Sequence, residues 1–377
     1  MRQVNALVLN DVHIGAVRTT GTTLATRAAI QQYLLDELEK LIQAYKELIV
    51  NGDLFDAFDV DSGQLLALYM ILHAWLSADR ERILDLVLGN HDIAKNSQRT
   101  SSFAMLCALL TANFPAQVNV RDKGLEQIGH KVWVIPHCLN QDAFDVELRR
   151  ALEDVTEPGL LLLHANFDNN FAVESDHSLN VSEEWARALI KSGWTLVFAH
   201  EHQRRTAMAG QVIILGNQWP TSIADCLAHG QAQKDGKKFA HFIETQEDFG
   251  TEQTTVTIRA LPEPTWQAEG DFAVMNWTDL APTQCRFVRI EGTATAAEAA
   301  DVMNAVARYR QNSKALIVTN SVNVSGIAGV SEMAQVNIES LQKVDVLKSL
   351  CAKLTKPEAE VVHKMLEPAE KKEEGKC

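Results

Sequence analysis

Over the first 220 residues one pattern repeats: a short apolar run, a polar turn, then a stretch with apolar positions at helical spacing. The runs are Val4–Leu9, Leu48–Val50, Ile83–Leu88, Val132–Ile135, Leu160–Leu163, Thr195–Phe198 and Val212–Leu215. Most lack polar alternation, which suits strands covered on both faces. Between them the spacing predicts helices over about 24–45, 63–77, 101–112, 141–153 and 182–191. Strands alternating with helices predict an α/β core. The residues with ligand or acid–base chemistry fall just after the runs, where open α/β sheets place their sites.

The pattern changes after about residue 225. Lys234-Asp235-Gly236-Lys237-Lys238 reads as an exposed turn, and Leu261-Pro262-Glu263-Pro264-Thr265-Trp266 as a proline-punctuated connector. Arg286–Ile290, a helix over about 295–310, and Ala315–Thr319 then form a compact β-α-β phrase. A polar stretch (321–334) leads to two amphipathic helices, about 336–353 and 357–366, and a charged tail. The expected organisation is a main domain over 1–225, a small domain with its linker over 226–330, and helices with the tail over 331–377. No internal repeat is visible.

Length and composition narrow the class. A chain of 377 residues, 46% of them hydrophobic, has room for two or three domains. No apolar run approaches the roughly 18 residues of a membrane span, and the N-terminus lacks signal-peptide anatomy, so a cytoplasmic protein is expected. Cysteines 107, 138, 226, 285, 351 and 377 form no CxxC pair, which disfavours a zinc knuckle or a disulfide framework. The 49 acidic and 35 basic residues give a net charge of −14, which argues against nucleic-acid binding through the overall field.

Five segments carry the candidate chemistry: Asp11-Val12-His13, Gly52-Asp53, Gly89-Asn90-His91-Asp92, His164 and His200-Glu201-His202. Together they offer carboxylate, imidazole and amide ligands enough for two metal ions, with Asp53 the natural bridging carboxylate. Mixed oxygen and nitrogen ligation suits manganese, iron or zinc, and the lack of thiolate argues against a structural zinc site. Two cations about 3.5–4 Å apart would clamp a phosphate and generate hydroxide for in-line attack on phosphorus. Any one segment is weak, since D-x-H and H-x-H triplets arise by chance. Gly-Asn-His-Asp is rarer, because glycine permits a tight turn presenting three polar groups. The strand-end placement of all five makes a metal site the strongest reading.

The ordered set DVH, GDLFD, GNHD, H and H-E-H resembles the calcineurin-like metallophosphoesterases over about residues 1–225. The resemblance implies a four-layer αββα sandwich with a dimetal site on its rim, here extended by a small β-α-β capping domain and C-terminal helices. It implies that Asp11, His13, Asp53 and His202 hold one metal, and Asp53, Asn90, His164 and His200 the other. The cofactors are then two divalent ions, foremost Mn2+, with Mg2+, Fe2+ or Zn2+ as alternatives. His91 falls on the family's catalytic histidine, which contacts phosphate and protonates the leaving oxygen, and Asp92 is expected to orient it. Ala199 departs from the glycine that usually precedes the last motif, a small change.

Within that superfamily, Asn51-Gly52-Asp53-Leu54-Phe55-Asp56 and the run Val212–Pro220 resemble the SbcD-type recombination nucleases, most closely the short phage versions. This implies a metal-dependent DNA nuclease, exonuclease and potentially endonuclease, in a recombination or repair complex. The implied partners are DNA, a second copy of the chain, and an SMC-like coiled-coil ATPase of the SbcC type docked by the C-terminal helices. A phage protein would work in the host cytoplasm. A small-molecule phosphodiesterase or phosphatase on the same fold is the alternative, favoured by the acidity and opposed by the long extension past residue 225. A scaffold without catalysis is disfavoured by the intact ligand set.

Arg204, Arg205, His137 and His177 are candidate substrate contacts, with surface charge or packing as the plainer reading. Arg18 and Lys95–Arg99 on motif loops are candidates of the same kind. Trp185, Trp194 and Trp219 offer base stacking, though buried anchoring is the commoner use of tryptophan. Two divalent ions would add four positive charges where a phosphate sits, so local and global sign can differ. The acidity still predicts weak, salt-sensitive DNA binding by the isolated chain.

Overall fold

The computed structural model describes residues 2–16, 24–93, 99–169, 178–227, 236–248 and 253–325. The chain begins β1 (Asn5–Leu9), α1 (Leu24–Ile42), β2 (Glu47–Asn51), α2 (Ser62–Ala78), β3 (Ile83–Val87) and α3 (Ser102–Asn113). It continues β4 (Val118–Arg121), β5 (Glu126–Gly129), β6 (Val132–Ile135), α4 (Gln141–Glu153), β7 (Leu160–His164), β8 (Asn166–Phe167) and β9 (Asn180–Val181). Next come α5 (Glu183–Lys191), β10 (Thr195–Ala199), β11 (Arg205–Ala207), β12 (Val212–Ile214), β13 (Lys237–Lys238), β14 (His241–Asp248) and β15 (Gln253–Ala260). Last are β16 (Trp266–Gln267), β17 (Phe272–Asn276), β18 (Phe287–Thr295), α6 (Ala299–Asn312) and β19 (Ile317–Ser325).

The helices start where a side chain satisfies an orphan N–H. Ser101, Asn140 and Ser182 accept from Ala104, Ala143 and Trp185 at the heads of α3, α4 and α5. Two six-stranded sheets follow, ordered β15-β14-β1-β2-β3-β4 and β11-β12-β10-β7-β6-β5. The four strands β1 to β4 run parallel, as do β12, β10, β7 and β6, and antiparallel strands close the remaining edges. The fold is therefore mixed α/β with mostly parallel sheets, as the repeated pattern predicts.

Three apolar cores set the layering. Val4, Ala6, Val8, Ile49 and Val87 of the first sheet meet Val132, Val134, Leu160, Leu162 and Val197 of the second. On the first sheet's other face, Leu7, Leu9, Leu48 and Val50 pack under residues of α1, α2 and α3. Leu161, Leu163, Leu196 and Phe198 do the same under α4 and α5. Both faces of the central parallel strands are thus covered, which is why the runs carry little polar alternation.

The first sheet runs past the boundary expected at residue 225. β14 pairs antiparallel with β1, from Asn5 opposite Glu244 to Val8 opposite His241, and β15 pairs with β14. Phe272, Phe287, Leu316 and Ile317 of the expected capping domain join the same core as α1. Arg286 lies 4.3 Å over the Tyr33 ring of α1 and pairs with Asp271 at 2.8 Å. By their contacts the described residues fall into one unit within 2–292 and 303–322 and a second within 293–302 and 323–325. In the second unit, Thr295 and Glu298 form a reciprocal capping box. The two helices expected over 336–366 lie outside the described residues. No described helix is long and apolar enough to cross a membrane.

One buried polar group in the first sheet sets an acid limit on stability. His241 shares the inward face of Ile243, is 2% exposed, and neither ring nitrogen has a hydrogen-bond partner. Burial, with the Arg204 charge adding to it, pushes its pKa down to about 3. A base depressed in the folded state leaves stability intact above its unfolded pKa, near 6.5, and erodes it as pH falls below that value. The expected loss is about 1.4 kcal/mol per pH unit, or about 2.7 kcal/mol by pH 4.5. Denaturant unfolding of His241→Leu between pH 7.5 and 4.5 should lack that share of the acid loss. An unchanged slope would place the acid sensitivity elsewhere.

Candidate metal centre

Parallel strands bring their C-terminal ends to one edge, and the ligand candidates sit there. Asp11 lies two residues past β1, Asp53 two past β2 and Asn90 three past β3, while His164 ends β7 and His200 follows β10. They gather into two groups, Asp11–His13–His202 and Asp53–His164–His200, with the ligand atoms of each within 4.8 Å of one another. Two Asp/His groups able to hold metal ions are thus present, consistent with a dinuclear site.

The contacts inside each group fit cations. His13 and His202 turn their Nε2 atoms toward each other at 3.0 Å, two lone-pair positions converging on one point. Asn90 Oδ1 lies 2.9 Å from His164 Nε2 and 3.0 Å from His200 Nδ1, so the amide oxygen joins the second group. Asp53 Oδ1 is 3.2 Å from His164 Nε2 and accepts the His91 N–H at 2.9 Å. The Asp53 carboxylate also faces His91 Nε2 at 3.9 Å through its other oxygen. The donors are hard oxygens and borderline imidazoles, with no thiolate, a set that suits manganese, iron or zinc.

Holding them so close strains the backbone. Asp11, His13, Asp53 and His200 all have positive φ, at 50°, 53°, 46° and 88°. Only four other described non-glycine residues share that conformation, so half of this strained set are ligand candidates. The motif glycines have a steric role as well. A Cβ on Gly52, itself at φ +84°, would collide with the His164 ring, and one on Gly89 with the Asp53 backbone nitrogen. Gly89 thus serves close approach to Asp53, a use beyond the tight turn read from sequence.

Electrostatics follow from carboxylates buried among imidazoles. Burial alone would raise the Asp53 pKa, but His164, His13 and His91 outweigh it and hold the group well below the usual carboxylate range. Conversely, burial would lower His164, while Asp53 holds it up to about 9. The centre draws positive charge, and a proton and a cation compete for it. Burial would also lower His202, yet Asp225, 2.9 Å from its Nδ1, raises it. Burial would raise Asp225, but the His202 hydrogen bond outweighs it and holds that carboxyl below the usual range.

Three expectations about supporting residues need correction. Asp92 braces loops: its oxygens accept from the N–H groups of Leu54, Phe55 and Gly89 at 3.3, 3.1 and 3.0 Å. His91 is instead aligned by its Nδ1 contact to the Asp56 carbonyl at 2.7 Å. Burial and the Asp53 charge push the Asp92 pKa up to about 7. Arg205 pairs with Glu201 through both carboxylate oxygens and donates to the Phe167 carbonyl, so its guanidinium is engaged within the fold. Lys238, read as part of an exposed turn, is 5% exposed and donates to the His202 carbonyl at 2.8 Å.

Among the other substrate candidates, Arg204 is exposed with its guanidinium 5.2 Å from the Phe239 ring centre. His137 is buried, and its N–H bonds the Leu88 carbonyl at 2.9 Å, beside the Gly89–Asp92 loop. Burial, reinforced by His164, pushes its pKa down to about 3. Arg99 is exposed and pairs with Asp59 at 3.0 Å. Trp194 and Trp219 are buried anchors. His177, Arg18 and Lys95 lie outside the described residues. Sequence reasoning missed Asp225 and Lys238, which follow no motif.

No protein-family model matches the sequence, and comparison with curated proteins finds no significant match.

Proposed function

We propose that the protein is a metal-dependent phosphodiesterase of the calcineurin-like type that cleaves DNA, the nuclease subunit of a recombination or repair complex. The observation that carries the reading is the convergence of the two Asp/His groups at strand ends, with His91 beside Asp53. The helix–sheet–sheet–helix layering supports the four-layer αββα sandwich of that superfamily. Asp11, His13, Asp53 and His202 would hold one ion, and Asp53, Asn90, His164 and His200 the other, Mn2+ foremost. Bound divalent ions would neutralise phosphate charge and lower the pKa of a coordinated water. The chain's own residues would hold these ions, while the burial of Asp11 and Asp53 excludes bulk water and His91 places an imidazole at the rim.

A second copy of the chain is the expected close partner. The packed helices α2 and α3 leave Leu66, Met70, Met105 and Leu109 exposed, four residues apart on each helix. Light scattering that reads the mass of one chain would remove the dimer from this proposal. An SMC-like ATPase is proposed as the second protein partner, through residues 336–366.

Net charge favours a second reading, a small-molecule phosphodiesterase, because −14 repels a polyanion more than a small substrate. One assay separates them. With Mn2+, the purified chain should degrade linear duplex DNA as well as a nitrophenyl phosphodiester. Intact DNA beside rapid cleavage of the chromogenic substrate would leave the small-molecule reading standing.

A further inference from the structure

His202 supplies one of the two imidazoles that meet through Nε2, and the opposite side of its ring is held by a residue outside every motif. Asp225 sits on a short turn after β12, and its Oδ1 is 2.9 Å from His202 Nδ1. Its other oxygen accepts three donors: the Thr221 N–H at 2.9 Å, the Thr221 hydroxyl at 3.1 Å and the Ser222 N–H at 2.9 Å. Asp225 is 3% exposed. The His202 backbone is pinned independently, by Lys238 Nζ on its carbonyl.

We infer that Asp225 is a positioning residue that keeps the proton of His202 on Nδ1, so that the Nε2 lone pair faces the cation shared with Asp11 and His13. The inference rests on the metal-centre reading above. A ligating histidine presents a bare nitrogen to the metal, and the partner of its other nitrogen decides which one is bare. A carboxylate only accepts, so Asp225 dictates the productive tautomer. His13 has a weaker counterpart, with its Nδ1 3.3 Å from Asp56 Oδ1 but without the alignment of a hydrogen bond. His164 in the other group lies 3.1 Å from a backbone carbonyl, that of Asn51. In the Asp11–His13–His202 group, His202 is the imidazole that a carboxylate hydrogen bond holds from behind.

Asp225→Asn separates this role from a purely structural one. The three donors at Thr221 and Ser222 would claim the single amide oxygen, preserving the turn. The NH2 group would then face His202 Nδ1 and favour the tautomer with its proton on Nε2, which cannot bind metal. Titration calorimetry with Mn2+ on the chelator-treated full chain should find two ions in the wild type. In Asp225→Asn one ion should weaken about 10–100-fold, the other staying within about threefold and the circular dichroism spectrum of the metal-free chain staying that of the wild type. Nitrogen-15 NMR of the metal-free protein should find the His202 proton on Nδ1 in the wild type and moved to Nε2 in the variant. Two ions bound at wild-type affinity by Asp225→Asn would overturn the role of Asp225 alone. A wild-type chain that binds no Mn2+ would overturn the metal-centre reading and this inference with it.

Discussion

Asp53→Ala should bind neither ion: calorimetry or elemental analysis after Mn2+ loading should fall from two equivalents to none, with DNA cleavage below detection. The expectation follows from where the carboxylate sits. It is the only carboxylate in the Asp53–His164–His200 group, and the donors left behind, His164, His200 and Asn90, are all neutral ligands. A dication held by neutral donors loses the largest attractive charge near it. The proposed bridging role extends the loss to the Asp11–His13–His202 group. The substitution also releases the His91 N–H, which Asp53 Oδ1 accepts, and so disturbs the loop carrying Asn90. A ligand that binds only the folded state stabilises it by about 2.7 kcal/mol at a hundred times its dissociation constant. Thermal unfolding with and without Mn2+ should therefore separate in the wild type and coincide in the variant. Two equivalents retained at wild-type affinity would rule out Asp53 as a shared ligand.

The candidate ligands are legible in the sequence because each stands within four residues of the end of a strand that reads plainly. Unalternating runs such as Leu160–Leu163 have no use except burial on both faces, and the expected runs all lie in the strands of the two large sheets. The α4 and α5 helices are signalled the same way, by Asn140 and Ser182 before an amphipathic stretch. What escaped reading has physical causes. β14 carries its inward face on His241, Ile243 and Thr245, so two polar residues occupy positions that an apolar pattern would need. Its partner β15 is an edge strand rich in threonine, whose pairing comes from a neighbour distant in sequence. β4 and β5 carry Asn119, Arg121, Glu126 and Gln127, so neither shows an apolar run.

Support for the site was illegible for another reason. Asp225 and Lys238 act on His202 through contacts set by folding, and no local spacing announces them. Arg205 illustrates the converse error. Two arginines beside a histidine motif suggest phosphate contact, yet one is consumed by Glu201 four residues away. The sequence proximity of a charge to a site says little until its own counter-ion is known. The positive-φ backbone at Asp11, His13, Asp53 and His200 was equally hidden, since Asp and His enter that region more often than most residues but occur mostly outside it.

The negative net charge looks different once the buried carboxylates are placed. Asp11, Asp53, Asp56, Asp92 and Asp225 are all nearly inaccessible and bound to imidazoles, backbone N–H groups or both. They contribute to the formal count but present little charge to an approaching polyanion, while bound cations would reverse the local sign. The repulsion that remains comes from exposed acids on helices and loops, and it is screened by salt within about 10 Å at 0.1 M.

His91→Ala should keep both ions and lose turnover by about 10²–10⁴-fold. The Asp56 carbonyl oxygen, 2.7 Å from Nδ1, can only accept, so Nδ1 carries the proton and Nε2 is the basic nitrogen. That nitrogen is 3.9 Å from Asp53 Oδ2, and the side chain is 23% exposed, so it is open to solvent at the rim. The ring stands edge-on to His13 at 5.2 Å, close to the proposed ions without belonging to either triad. Once protonated at Nε2, it would donate that proton to the departing oxygen, a step that matters in proportion to how poorly the oxygen leaves. Loss in His91→Ala should therefore be large on DNA, whose leaving group is an alkoxide, and much smaller on a nitrophenyl phosphodiester, whose phenolate departs unaided. A residue that merely shaped the pocket would lower both rates alike. Equal losses on the two substrates would make His91 a phosphate contact, and near-normal DNA cleavage would remove it from the mechanism altogether.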